Sequence, residues 1–210
     1  MTLFDHHTHN PNAPAGRAVI CLPHEILENP TDFKPREGAM YSAGIHPWWT
    51  DAEKQTEKNK KLEKLWHGVE QLAAHPQVVA LGETGFDRLR GDIDLQKELF
   101  EQHVRLAENT KKRLIIHCVR AFDILLQARA QFRPNSPWLV HGFSGKPTLA
   151  GQLLAAGIQL SFGHRANPAT LAFISTNELR FETDDSSLSI EEISNSLLEK
   201  RKFAQNTENR

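Results

Sequence analysis

The chain has 210 residues, a formal net charge of −1, 39% hydrophobic and 24% charged residues, an ordinary soluble composition with room for one domain around a sizeable core. No apolar run approaches the roughly 20 residues of a membrane-spanning helix, and the balanced charge argues against a dedicated nucleic-acid binder held by many phosphate contacts, while leaving room for an enzyme with one small cationic or metal-bearing phosphate site. Two cysteines, Cys21 and Cys118, make no disulfide framework; with no secretory signal visible, a reducing, cytoplasmic setting is expected. The excess is in histidine, with eleven, the commonest metal ligand and proton carrier near neutral pH.

In chain order, short apolar runs alternate with helix-like stretches. The first strand, 3–7, leads into Asp5-His6-His7-Thr8-His9. Only NPNAPAGR separates it from the second strand, 18–22, too little for a crossover helix. Residues 23–39 read as irregular. A third strand, 40–45, ends in Gly44-Ile45-His46-Pro47. The helix over 57–75 sets Leu62, Leu65, Trp66, Val69 and Leu72 on one face. Strand 78–83 runs into Gly82-Glu83-Thr84-Gly85-Phe86-Asp87, and the helix over 94–110 repeats the amphipathic pattern with Leu95, Leu99, Phe100, His103 and Leu106. Strand 113–118 carries His117, a helix follows over 121–132, and strand 138–143 carries His141 ahead of Phe143-Ser144-Gly145. Strand 158–163 and strand 179–184, ending Glu182-Thr183-Asp184, complete eight. The tail helix over 189–203 opens on Ser189 and Glu192, a capping box.

Strands alternating with helices predict parallel pairing. Eight of them suggest a (β/α)8 barrel, reduced by the missing first crossover helix; an open doubly wound sheet fits the same pattern. No linker or repeat divides the chain, so 1–210 is read as a single domain. Six of the eight strands end in a histidine or carboxylate, and in a parallel α/β fold those ends converge on one face. Imidazole and carboxylate donors suit Zn²⁺, Mn²⁺ or Mg²⁺. Alternation along a strand puts His7 and His9 on one face with Asp5, and His6 on the other. Glu83 can bridge two ions, and Asp184 can ligate and accept a proton from water. Taken singly, each residue also has a plain reading: an exposed turn for His7 and His9, a capping carboxylate for Glu83, a loop residue for Asp184, core histidines for His117 and His141.

The stretches DHHTH, GIHPW, ALGETGFD, IIHCVRA, VHGFSG, QLSFG and FETDD, in this order over residues 3 to about 187, resemble the motifs of the TatD-like metal-dependent hydrolases, within the amidohydrolase-like TIM-barrel superfamily. That resemblance implies His7 and His9 as ligands of a first ion, Glu83 as the bridge, and His117 and His141 as ligands of a second. Asp184 corresponds to the aspartate that ligates the first ion and handles the water proton, and His46 to the histidine beside the substrate phosphate. The implied activity is a two-metal deoxyribonuclease or phosphodiesterase of the 3′–5′ exonuclease type. The sequence departs from the family pattern at Trp48-Trp49, at Cys118-Val119-Arg120, and at Asp184-Asp185-Ser186, where the family has a proline after the aspartate.

For substrate binding, His46, Arg88 and Arg120 are the expected phosphate contacts, with Arg90 a further candidate on the same segment as Arg88. Trp48 and Trp49 are read either as a stacking platform for a base or as a lid, and the backbone N–H groups of 143–145 as an anion cradle. The remaining histidines, His24, His67, His75, His103 and His164, are read as surface or packing residues, with His103 half buried. The expected partner is DNA or a small phosphoester or amide, with no membrane, and the expected state a monomer. A small-molecule amidohydrolase with the same metals is the alternative enzyme, and a non-enzymatic metal-stabilised fold the third reading.

Overall fold

Residues 3–51 and 55–208 are described by a computed structural model, with the side chains of 55–59 and 208 outside that description. Seven parallel strands follow one another in chain order, each bonded to the next: β1 (Asp5–Thr8), β2 (Ala18–Cys21), β3 (Met40–Ala43), β4 (Val78–Asp87), β5 (Arg113–Val119), β6 (Trp138–Val140) and β7 (Ile158–Leu160). The eighth strand, expected over 179–184, survives only as single bridges. Phe181 pairs with both Asp5 and Phe162, and Asp184 with Thr8. Backbone bonds from Asp184 N to His7 O and from His9 N to Asp184 O, both 3.0 Å, close the ring beside β1. The sheet is thus a reduced barrel. Asp184 takes a left-handed φ of 54°, which ends the extended run.

Among the described residues seven helices cover the sheet: α1 (His24–Glu28), α2 (Gln55–Ala73), α3 (Ile93–Thr110), α4 (Phe122–Phe132), α5 (Pro147–Ala155), α6 (Pro168–Phe173) and α7 (Ile190–Glu208). The four helices expected from periodicity are present as α2, α3, α4 and α7. As expected, β1 passes to β2 without a helix, through a turn closed by Ala13 N to Asn10 O and Arg17 N to Pro14 O. The region 23–39, expected to be irregular, holds α1. This short helix lays Leu27 on α2 at Gly68, where a Cβ would stand 1.8 Å from the Leu27 carbonyl oxygen. Both α5 and α6 start on a proline at the first turn, where its missing N–H costs nothing. No helix among the described residues is long and apolar enough to cross a membrane.

Apolar side chains divide between two outer layers and the barrel interior. Phe86, Phe100 and Trp138 anchor the layer under α3 and α4, while Leu27, Tyr41 and Leu65 anchor that under α1 and α2. Inside the ring, Val19, Ala80 and Ile115 pack with Phe4 and Val79. This small plug leaves the C-terminal end of the barrel to polar groups. His103, expected half buried, is wholly buried on α3. Its Nε2 accepts from Ile45 N at 3.1 Å, so its Nδ1–H donates to Leu99 O at 2.7 Å. It therefore pins the end of β3 that carries His46, and burial lowers its pKa to about 4.

Candidate metal centre

Glu83 occupies the centre of the barrel mouth. Glycine gets it there: at Gly82, φ 134°, a Cβ would stand 2.2 Å from Ile115 O, and at Gly44 one would stand 2.5 Å from Gly82 Cα. Strands β3, β4 and β5 approach too closely here for side chains, and the β4–β5 register shifts between Leu81 and Thr84. The irregularity turns Glu83 inward with its side chain only 5% exposed.

The two carboxylate oxygens of Glu83 face different sets of partners. Oε2 lies 2.9 Å from His9 Nε2 and 3.3 Å from His7 Nε2. Asp184 Oδ1 adds to this set at 3.7 Å from His7 and 3.6 Å from His9. Oε1 lies 2.7 Å from His141 Nε2, 3.5 Å from His46 Nε2 and 3.6 Å from His117 Nδ1. Among the described residues three groups are compact enough to hold an ion: His7-His9-Glu83, His7-His141-Asp184 and His46-Glu83-His117. All six residues expected as ligands, His7, His9, Glu83, His117, His141 and Asp184, are brought together.

Neighbouring groups select the nitrogens. Asp87 Oδ2 lies 3.3 Å from His117 Nε2 and accepts from Trp48 Nε1 at 2.6 Å, while its Oδ1 accepts from Leu89 N at 2.8 Å. An ionised carboxylate only accepts, so the proton of His117 sits on Nε2 and the Nδ1 lone pair faces Glu83. Glu182, buried beneath His141, faces its Nδ1 at 3.6 Å and accepts from Gly142 N and Ser161 Oγ. In His46 the order is reversed: Nδ1 accepts from Trp48 N at 3.1 Å, so the neutral ring carries its proton on Nε2. It presents a donor to the mouth, which suits an anionic oxygen better than a metal. Burial lowers the His46 pKa, which keeps that ring neutral.

Electrostatics follow this geometry. Burial pushes the Glu83 carboxyl up, but the imidazoles of His141 and His7 outweigh it, holding it well below the usual carboxylate range. For His141, burial acts against the charged ring, yet Glu83 and Glu182 raise its pKa well above the ordinary value. His9 is raised by its contact with Glu83.

A divalent ion fits these residues. Both ring nitrogens of His7 and of His141 are buried with no hydrogen-bond partner among the described residues. His141 Nε2 is close to Glu83 but out of line for a hydrogen bond, and it faces the space between the clustered side chains. Unspent buried donors are costly, and an imidazole–carboxylate set is the donor chemistry of Zn²⁺ or Mn²⁺.

Other expectations resolve differently. Asp5 does not share the face of His7 and His9, because the β1–β2 register shifts between Asp5 and Thr8. Its carboxylate instead accepts from Thr183 Oγ1 at 2.6 Å and Thr183 N at 3.0 Å, tying β1 to the residual eighth strand, and burial raises its pKa to about 6. His6, expected on the other face from His7 and His9, packs edge-on against Phe4, ring centroids 5.0 Å apart, and belongs to none of the compact groups found among the described residues. The 143–145 cradle is partly spent, since Phe143 N donates to Ser161 O at 3.0 Å. Trp48 is fixed by Asp87 and covered by the Arg90 guanidinium, 4.3 Å from the ring centroid.

Above the cluster opens a cavity of about 650 Å³, lined by His46, Trp48, Trp49, Cys21 and Cys118 among others. Arg88 and Arg120 are not among its lining residues. Arg88 forks onto Asp123, at 2.7 and 2.5 Å, and onto Arg120 O at 2.9 Å. Arg165 lines the cavity instead, its Nη2 3.7 Å from Asp184 and 3.6 Å from Asp185. Inspection of strand ends passes over it, because the seventh strand ends without a titratable residue and Arg165 lies beyond it in the loop.

A family model described as TatD related DNase matches residues 21–196. The chain belongs to that family. It is 38% identical over 120 residues to the "Uncharacterized metal-dependent hydrolase TatD" of Mycobacterium tuberculosis, covering 53% of this chain and 43% of that one. It is 29% identical over 160 residues to the "3′-5′ ssDNA/RNA exonuclease TatD" of Musicola paradisiaca, covering 68% and 55%. The chain thus spans about half the length of these TatD relatives. The crystal structure of YJJV, a TatD homolog from Escherichia coli K12, shares the fold with a TM-score of 0.66 at 20% identity over 98% of each chain.

Proposed function

We propose that the barrel mouth is the active site of a metal-dependent hydrolase that cleaves phosphodiester bonds in DNA, working 3′ to 5′. The observation that carries this reading is the division of labour at Glu83, whose two oxygens face separate histidine sets. His7, His9 and Asp184 would hold one ion, His117 and His141 a second, and Glu83 both. The exonuclease name of the Musicola relative supports the substrate class and polarity.

Bound Zn²⁺, Mg²⁺ or Mn²⁺ would supply Lewis acidity, lowering the pKa of water toward 7 and taking up charge that develops on phosphate oxygens. The chain supplies the rest. Asp184, at the rim of the ligand set, accepts the proton of the attacking water and passes it to the leaving oxygen. His46 donates its Nε2–H to a phosphate oxygen. Asp87 and Glu182 hold the rings of His117 and His141 in the required orientation, and the Trp48–Arg90 pair borders the entrance.

A small-molecule hydrolase is the second reading, favoured by the 650 Å³ cavity, which is of small-ligand size. One experiment separates the two: purified protein, its metal content measured, is given 3′-labelled single-stranded DNA with Mg²⁺, Mn²⁺ or Zn²⁺. Release of 3′ nucleotides with a salt-dependent KM is expected. Bound metal with no cleavage of DNA would transfer the site to the second reading, and absence of bound metal would overturn both.

A further inference from the structure

We propose that Arg165 is the phosphate-recognising cation of this mouth, an inference that rests on the phosphodiester reading above. A phosphodiester carries a full negative charge, and its recognition calls for a fixed cation at the point where it docks. Among the described residues lining the mouth, Arg165 is the one arginine or lysine. The guanidinium of Arg88 is engaged by Asp123 in the first turn of α4, and that of Arg90 by the Trp48 ring and by Asp51 Oδ2 at 3.1 Å.

The backbone that carries Arg165 is well anchored. Ala166 N bonds Gly163 O at 3.0 Å, the carbonyl of His164 accepts from Lys200 Nζ at 3.0 Å, and Asn167 caps α6 through Ala169 N at 3.0 Å. The side chain itself is 65% exposed and held only by two long contacts, 3.7 Å to Asp184 and 3.6 Å to Asp185. Such long, solvent-screened pairs contribute little, whereas a fork onto phosphate makes two charge-assisted bonds. The guanidinium can therefore leave the aspartates for a substrate anion while its loop stays in place. Its post beside Asp184 puts that anion next to the group expected to handle the water proton.

The test compares wild type, Arg165→Gln and Arg165→Lys, each loaded with Mn²⁺. It reads bound metal per chain, the Kd of inorganic phosphate by calorimetry, and kcat and KM on single-stranded DNA. Arg165→Gln is expected to raise both the phosphate Kd and the KM about tenfold, the loss of one charge-assisted bond. Metal content should be unchanged and kcat should stay within about threefold, with Arg165→Lys recovering part of the loss. An unchanged phosphate Kd overturns the proposal, as does a fall in bound metal that matches the rise in KM, which would make Arg165 a brace for Asp184. Phosphate binding that weakens in a protein unable to cut DNA supports the proposal and overturns the nuclease reading. DNA cutting with a KM indifferent to Arg165→Gln does the opposite.

Discussion

On the floor of the mouth, the side chains of Glu83, His7 and His141 are 5%, 0% and 7% exposed and stand on barrel strands or their ends. On the rim, those of Arg88, Arg90 and Arg165 are 44%, 54% and 65% exposed and stand on loops. Floor residues are held by backbone ladders and by buried partners such as Asp87, Glu182 and His103, so their geometry is set before any ligand arrives. Rim cations rest in ion pairs that water screens, and Arg165, held by two long contacts only, is the one free to exchange its partner. Fixed donors are built into the floor, and the rim is left with exposed cations.

Four perturbations break or sharpen that contrast, and the largest strikes the floor. Asp184→Asn should cut hydrolysis by roughly 10²–10⁴-fold, the usual weight of a general base. Its melting temperature should hardly move, because asparagine tolerates the left-handed φ of 54° at this position. A variant with the wild-type rate would remove Asp184 from the proton's path.

Acid should act on the floor through His103. Its folded pKa, about 4, lies below the unfolded value of 6.5, so the unfolded chain binds more protons between these values. Stability from the neutral ring is complete above pH 6.5 and is lost as pH falls toward 4, by roughly 3 kcal/mol. Asp5, raised to about 6, works in the opposite sense, its contribution falling as pH rises through the same window. Urea unfolding of wild type and His103→Gln at pH 7 and pH 4.5 isolates the histidine. The variant should be less stable at pH 7 and show a shallower loss on acidification; parallel profiles would count against the assignment.

Asp87→Asn should weaken metal binding by about 10–100-fold, as changes to groups behind metal ligands do, because an amide no longer fixes the proton of His117 on Nε2. Competition with a chromogenic chelator measures this. Unchanged affinity would mean that packing alone orients the ring. The smallest effect belongs to the rim: Arg90→Gln, which loses Asp51 and the face of Trp48, should cost no more than about 1 kcal/mol in thermal unfolding. A loss several times larger would show that the rim too is rigidly built.

The same division decides what a sequence discloses. His7, His9, Glu83, His117, His141 and Asp184 recur at the ends of apolar strands, and a parallel barrel brings such ends together, so the convergence of these six at one mouth is legible from phase. The missing helix between β1 and β2 was legible because eight residues cannot hold one. Asp5 was misplaced because a register shift breaks the two-residue alternation, and no residue type announces such a shift. Helix α1 was hidden in a proline-rich stretch since five residues carry too little periodicity, although prolines at the starts of α5 and α6 were usable signals. Arg88 reads as a phosphate ligand in the sequence because its partner Asp123 lies 35 residues away. Arg165 carries no sequence signal of this kind, because a loop cation has no phase at all. His103 showed a helical apolar phase, but its second bond, to Ile45 N, joins residues 58 apart.

The most direct measurement of the central idea is metal content. Wild type and Glu83→Gln are loaded with Mn²⁺ or Zn²⁺, dialysed, and analysed for ions per chain. If the two oxygens of Glu83 serve two ions, wild type will retain two per chain and Glu83→Gln fewer than one. A wild type that retains none, or a Glu83→Gln variant that retains as much as wild type, would contradict the account.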